Sequence, residues 1–495
     1  MGTNIVQTQF SASDYSRFQA RLEQNLKALK QLLDRPGFGK GPPSIGSELE
    51  LYLLDERNRP LHRNTEIQQR CADPLLTLEL NRFNLEYNLQ PVPAAGRPFS
   101  AIEKQMSTSL DTINDAAQEF KGKAIPIGIL PTLRRKDFGS HAMTDLPRYH
   151  VLTQALQKMR GEMFAIRIDG EEPISLRAKD VTFEGACTSM QVHLRVNPDE
   201  FAHYYNAVQM LTPVMVAVST NSPFFMGRRL WQETRIPLFK LAIDGRNPDR
   251  RNIHLPSRVD FGSGWVRKNA YELFAETVHV HEALVPISSR VNPLNRLVAG
   301  EIPELTELRL HQGTTWRWNR PVFDPANGGH LRIEMRALPA GPTVIDMVAN
   351  MAFAIGTAVG IKNQVETLIA AMPFQTCSHN FYRCAQFGLD TQLMWPDAGS
   401  LALRQQSVRE LALDLLPIAR RGLRELGVSS SEIKRYLRII EHRLDRKKTG
   451  AGWQLMYYQR LNQKMPRNTA LNKMVGQYAR LSQQNIPLVD WPEKA

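Results

Sequence analysis

Four short segments alternate polar and apolar residues with a period of two, and this pattern constrains the fold more than any other feature of the chain. They read Glu48-Leu49-Glu50-Leu51-Tyr52-Leu53, Asn84-Leu85-Glu86-Tyr87-Asn88-Leu89, Met190-Gln191-Val192-His193-Leu194-Arg195-Val196 and His330-Leu331-Arg332-Ile333-Glu334-Met335-Arg336. Side chains along a strand point alternately to opposite faces, so each segment predicts one polar and one apolar face. Taken singly, each fits a strand with one side in solvent. The set differs from an ordinary wet surface, because its polar positions hold Glu, His, Gln and Arg with few Lys, Ser or Thr. If the four lie in one sheet, that sheet has an apolar back for helices and a polar, concave front.

The side chains suggest the chemistry of that front. Carboxylates with one imidazole suit Mg²⁺ or Mn²⁺. The guanidinium fork of arginine matches carboxylate and phosphate groups. Neighbouring carboxylates repel unless a cation, a proton or distance intervenes. Glu79, placed across a turn before Glu86, would add a further carboxylate. Metal with phosphate accounts for the glutamates and the arginines together, and suits phosphoryl transfer. Other signatures are missing: no G-x-x-x-x-G-K-[ST] loop, no G-x-G-x-x-G after a strand and no G-x-S-x-G elbow. The stretch Gly37-Phe38-Gly39-Lys40-Gly41 has the wrong spacing for the first of these. His279 and His281 are two apart in an expected helix, cannot share a ligand face there, and read as core or surface residues.

Around these strands the chain reads as an ordinary globular protein of 495 residues, 42% hydrophobic and 22% charged. Helical periodicity predicts helices over Asp14–Leu33, Pro98–Phe120, Tyr149–Met159, Pro198–Thr220 and Pro342–Ala371, and an almost wholly helical stretch from Leu401 on. No βαβ rhythm, internal repeat or low-complexity segment is present. The four cysteines, Cys71, Cys187, Cys377 and Cys384, are too few for a disulfide framework and read as reduced thiols of a cytoplasmic protein. The N-terminus lacks a signal-peptide layout. The apolar run Val344–Ile361 contains Asp346 and Asn350 and reads as a buried helix, so no membrane partner is expected. The net charge is +13, and residues 401–495 carry 18 Lys and Arg against 8 Asp and Glu. No nucleic-acid module accompanies this basic tail, which reads as a solvated face or a field that draws in anionic substrates.

In this order, the segments resemble the glutamate–cysteine ligase family of the glutamine synthetase superfamily. The resemblance rests on Ile45-Gly46-Ser47-Glu48-Leu49-Glu50, on Leu78-Glu79-Leu80-Asn81 through Asn88, and on Ala186-Cys187-Thr188 through Leu194. It continues through Thr220-Asn221-Ser222-Pro223-Phe224, then Arg235, then Leu331 to Arg336, and Thr449-Gly450-Ala451-Gly452-Trp453-Gln454. It implies an α+β fold: a glutamine synthetase-like curved, mainly antiparallel sheet with helices on its back and a helical C-terminal extension. It also implies a cytoplasmic enzyme of glutathione biosynthesis. ATP would phosphorylate the side-chain carboxylate of glutamate, and an amine, with cysteine one candidate, would attack the acyl phosphate. By resemblance, Glu48, Glu50, Glu79, Glu86, His193 and Glu334 are metal ligands for Mg²⁺ or Mn²⁺, and Arg336 steadies the transferred phosphoryl group. Arg235 resembles a substrate-carboxylate binder, and Gln191, Asn221, Arg320 and Arg332 are candidates for substrate or nucleotide contact. Trp316 and Trp318 beside Arg317 suit either a pocket wall or ordinary packing.

The domains expected are an N-terminal helix and linker over 1–44, a catalytic domain over 45–375 and a basic helical extension over 376–495. Ala337-Leu338-Pro339-Ala340-Gly341-Pro342 follows Arg336 where relatives commonly place an Asp, so the acceptor amine stays open. The oligomeric state is open too. Two other readings stand beside the ligase at this point. One is a non-catalytic relative that binds a partner through its basic tail, and the other a phosphagen-kinase-like phosphotransferase.

Overall fold

A computed structural model describes residues 5, 7–247, 251–397 and 399–493. The four alternating segments lie in one antiparallel sheet. Its strands are β1 (Ser44–Asp55), β2 (Leu76–Leu78), β3 (Asn84–Asn88), β4 (Val92–Pro93), β5 (Gly122–Ile125), β6 (Met190–Val196), β7 (Asn319–Asp324) and β8 (His330–Met335). The order across the sheet is β7-β8-β6-β1-β3-β2, and β4 and β5 pair with the two ends of the long β1.

The alternation in sequence becomes the division between faces. Ile45, Leu49, Leu51 and Leu53 of β1 are fully buried, as are Val192 and Leu194 of β6 and Leu331 and Ile333 of β8. Cross-strand partners share a face, and the register sets Leu194 opposite both Ile45 and Ile333. A slip of one residue would turn these apolar side chains to the front, so the pattern fixes the register. Three helices pack on the sheet: α1 (Pro98–Gln118) against β1, α2 (Phe201–Ser219) against β7, and α3 (Val344–Ile361) against β6.

Helix α3 begins at Thr343, whose hydroxyl accepts from the Asp346 backbone N–H. It is apolar nearly all round because it is a core helix. The stretch Val344–Ala371 is long and apolar enough to span a bilayer, but 94% of its most apolar 18 residues are buried inside the protein. Helix α4 (Val408–Glu425) crosses α3 at glycine contacts. A Cβ on Gly422 would lie 2.0 Å from the Gly356 carbonyl oxygen, so only glycine permits this approach. Arg443 of α5 (Ser430–Asp445) reaches α3 as well, with Nη2 2.8 Å from Asp346 Oδ1.

Helices α6 (Gly450–Asn462) and α7 (Arg467–Gln483) complete the chain's helical end. Tyr478 of α7 donates its hydroxyl to the Pro126 carbonyl at 2.9 Å. Ser482 donates to the Pro342 carbonyl at 2.6 Å. The almost wholly helical stretch expected from Leu401 opens with one short strand before its helices. Leu403–Ser407 is a strand paired with Gln392–Pro396. Leu-Arg-Gln-Gln-Ser carries no apolar residue at helical spacing, and its apolar partner strand supplies the pairing. All four cysteines are free thiols. His279 lies in the helix Tyr271–Val280 and His281 is the residue after its end.

Candidate active site

The register gathers most of the sequence candidates on the polar face. Glu50 stands opposite Glu86, and Glu48 lies between Gln191 on one side and Asn88 on the other. His193 pairs with Glu334, and Glu334 with Arg320. Arg332 pairs with Arg195. Gly46 is the β1 residue opposite His193, and a Cβ there would lie 3.5 Å from His193 Cβ.

This face is electrostatically divided. At the β1–β3 end the carboxylates meet other carboxylates. Ser189 N–H and Gln191 Nε2 donate to Glu50 at 2.6 Å and 3.0 Å. Asn88 Nδ2 donates to Glu86 at 3.0 Å, and the Leu80 N–H to Glu79 at 3.0 Å. No Lys or Arg forms an ion pair with these three glutamates among the described residues. Burial and then the Glu86 charge raise Glu50 to about 7. Burial, then Glu48 and Glu79, raise Glu86 to about 8. Burial and Glu50 also raise Glu79.

Guanidinium groups occupy the other end. Arg320 Nη2 lies 2.8 Å from Glu334 Oε2. Arg336 Nη1 contacts both Glu334 Oε1 and Gln191 Oε1. Glu334 is 1% exposed. Burial would raise its carboxyl, but Arg320 and Arg336 outweigh burial and hold it well below its ordinary range. Glu334 in turn overcomes the effect of burial on Arg336 and raises its guanidinium. Further along, Arg332 donates to Asp324 at 2.9 Å. Arg332 and Arg195 face one another, and the Nε of each is buried without a partner. Like charges directly opposite destabilise a sheet unless an anion lies between them.

His193 and Glu48 sit between the two ends. His193 Nε2 is 3.2 Å from Glu48 Oε1, yet neither ring nitrogen makes a well-formed hydrogen bond. Burial would raise Glu48, but His193 outweighs burial and lowers it. A buried imidazole with two unpartnered nitrogens, beside carboxylates that lack cations, is a donor set that fits a divalent metal. No three such side chains among the described residues already converge into a closed shell. Mg²⁺ does not require one, since it commonly takes one or two carboxylates and completes its shell with water and phosphate oxygens.

Two candidates lie apart from this face. Asn221 is fully buried, and its amide is committed within the protein. Nδ2 donates to the Ala340 carbonyl at 2.7 Å and to Tyr478 at 2.8 Å, while Oδ1 accepts from Gln454 at 2.9 Å. It joins α6 and α7 to the loop after Arg336. Arg235 is 2% exposed and braces the same loop, with donations to the Arg336 and Ala337 carbonyls at 3.2 Å and 3.1 Å. Its ion partner is Glu233 at 3.2 Å, and only Nε is unpartnered. Trp318 packs edge-on against Phe239, and the Arg235 guanidinium stands 5.9 Å from its ring.

The residue that sequence reasoning missed is Glu184, on a short 3-10 turn Glu184–Ala186. With Glu50, Glu79, Asn84, Gly185, Cys187 and Thr188 it lines a small open cavity of about 20 Å³, the size of one water molecule or ammonium group. Burial, then Glu79 and Glu50, raises its carboxyl well above the ordinary range. No periodicity marks a turn, so the sequence carried no signal for it.

With this geometry in place, likeness to known proteins is informative. The model of "Glutamate-cysteine ligase family 2" matches residues 44–470. The chain belongs to that family. It is accordingly a carboxylate–amine ligase. A Frankia alni protein with the provisional name glutamate–cysteine ligase 2-1 is 21% identical over 386 residues, which is 76% of this chain and 83% of that protein. The crystal structure of glutamate–cysteine ligase from Francisella tularensis, in complex with AMP, superposes with a TM-score of 0.51 and 11% identity. That match covers 92% of this chain and 91% of the other, and at such low identity it speaks for the shared fold.

Proposed function

We propose that this ligase activates the side-chain carboxylate of glutamate with ATP, in the presence of Mg²⁺ or Mn²⁺, and couples it to an amine, with cysteine the first acceptor to test. The observation that carries the reading is the division of one sheet face into a carboxylate end and a guanidinium end. Glu48, Glu50, Glu79, Glu86, His193 and Glu334 would hold the divalent ions, which when bound neutralise carboxylate and phosphate charge. Arg332 and Arg195, paired across β8 and β6, would supply guanidinium charge to a polyphosphate.

In the first step a glutamate carboxylate oxygen attacks the γ-phosphorus and ADP departs. In the second the amine nitrogen attacks the acyl carbon, a proton leaves the nitrogen and inorganic phosphate departs. Arg336 serves the first step. Glu334 and Gln191 hold its guanidinium on the polar face, and its charge offsets the negative charge spread over the phosphoryl oxygens. Arg235 fixes the backbone that carries Arg336, so it acts as a positioning residue.

The test is phosphate release from Mg·ATP with glutamate, screened against a panel of amines that includes cysteine. Release that requires glutamate and one amine is the expected result. Folded protein that binds ATP but releases phosphate with no pair would remove glutamate as donor.

A further inference from the structure

The cavity beside Glu50 and Glu79 has two hydrogen-bond acceptors that neither the metal nor the phosphate reading uses. The half-buried Glu184 carboxylate lines the cavity and forms no ion pair at contact distance among the described residues, with Arg336 the cation that acts on it from farther off. Asn84 is 1% exposed. Its Nδ2 donates to the Leu51 carbonyl at 3.3 Å, while its buried Oδ1 has no donor. Buried acceptors without donors are costly and rare in folded proteins.

The other walls supply no donor to them. Thr188 Oγ1 is bonded to the Ile127 carbonyl, and Cys187 Sγ lies 3.8 Å from the Arg235 carbonyl. A ligand that satisfies this cavity must bring N–H donors and positive charge. The sheet's own glutamates and His193 suffice for divalent ions, since such ions complete their shells with water and phosphate oxygens. A primary amine at neutral pH carries three N–H donors and one positive charge, which is the complement this wall lacks.

On the ligase reading above, we propose that Glu184 and Asn84 form the subsite that receives the acceptor as its ammonium ion, which gives one proton to the Glu184 carboxylate to free the nitrogen lone pair before attack and loses its second as the amide forms. The carboxylate supplies the charge and the amide oxygen a second, directional contact. An acceptor whose amine carries no positive charge would gain little from Glu184.

The test uses two probes on the full chain with Mg·ATP and glutamate: hydroxylamine, an uncharged nucleophile at neutral pH, and methylammonium, a simple cation. Hydroxamate yield is measured, with methylammonium as competitor. In wild type, methylammonium competes with hydroxylamine. In Glu184→Gln, the ratio of the methylammonium inhibition constant to the hydroxylamine KM rises about tenfold, as loss of a charge-assisted hydrogen bond implies. Glu184→Asp, which keeps the charge, recovers part of that ratio. An unchanged ratio in Glu184→Gln overturns the assignment. So does a raised Mg²⁺ requirement with an unchanged ratio, which would make Glu184 a metal ligand. A wild-type protein that forms no hydroxamate sinks the ligase reading itself, and the subsite with it. Equal melting temperatures of the variants and wild type guard against misfolding as the cause.

Discussion

The two ends of the polar face share one sheet, yet solve the problem of buried charge in opposite ways. At the β8 end, Glu334 is closed by Arg320 and Arg336 within the protein. At the β1–β3 end, Glu50 and Glu86 face each other, and among the described residues their hydrogen bonds come from neutral donors while Arg336, Arg235 and Arg148 act only from beyond ion-pair distance. The charge of a paired carboxylate is offset before any metal arrives. An unpaired cluster is complete only with cations from outside, which makes it the end where metal and ammonium belong.

The same isosteric substitution should therefore have opposite consequences at the two ends. Glu334→Gln leaves two buried guanidinium groups without their carboxylate and should cost about 3 kcal/mol or more of stability. Glu50→Gln in metal-free protein removes one member of a repelling pair, and its stability should stay within about 1 kcal/mol of wild type or rise. Both should lower kcat by about a hundredfold or more, because each disturbs groups that meet phosphate or metal. Denaturant melts in EDTA, set beside turnover in Mg²⁺, test both halves. Equal destabilisation of the two variants would erase the distinction between the ends.

The pH dependence of the metal-free protein sharpens it further. Glu50 is raised to about 7 and Glu86 to about 8, against an ordinary 4.5. Between those limits the folded protein keeps protons that the unfolded chain has released. Stability must then fall as pH rises from about 5 to 8. A divalent ion binds the deprotonated folded form and opposes the loss. The gain in Tm on adding Mg²⁺ should thus be larger at pH 8 than at pH 6. A gain independent of pH would mean that these two carboxylates do not bind the ion.

Alternation made the sheet legible in the sequence. Leu194 and His193 are adjacent in the chain and lie on opposite faces, as the period of two requires. Spacing alone could not reveal partners that come from far along the chain. Asn221 sits in a loop that resembles a substrate-contact motif, but its amide is spent on Ala340, Gln454 and Tyr478, which lie 119, 233 and 257 residues away. Glu184 was invisible for the complementary reason, since a 3-10 turn imposes no pattern on its residues. If Asn221 is the joint that its contacts describe, Asn221→Ala should cost about 2 kcal/mol through orphaned buried groups. The KM values for ATP and glutamate should not change separately. A selective rise in one of them would return Asn221 to the substrate site.

The smallest expected effect lies at the edge of the guanidinium end. Arg332 and Asp324 form a half-buried pair at 2.9 Å, each with 23% of its side chain exposed. Such pairs contribute about 0.2–1 kcal/mol. Arg332 also faces Arg195, so Arg332→Ala removes a like-charge contact along with the ion pair. The two changes offset each other, and stability should stay within about 1 kcal/mol of wild type. Function should respond more clearly than stability. With the nucleotide's phosphates between Arg332 and Arg195, the KM for ATP should rise several-fold while the KM for glutamate holds. Equal rises in both would place the phosphates elsewhere on the face and leave Arg195 and Arg332 as an uncompensated pair of charges. A rise in the glutamate KM alone would reverse the assignment and put the donor carboxylates at the guanidinium end.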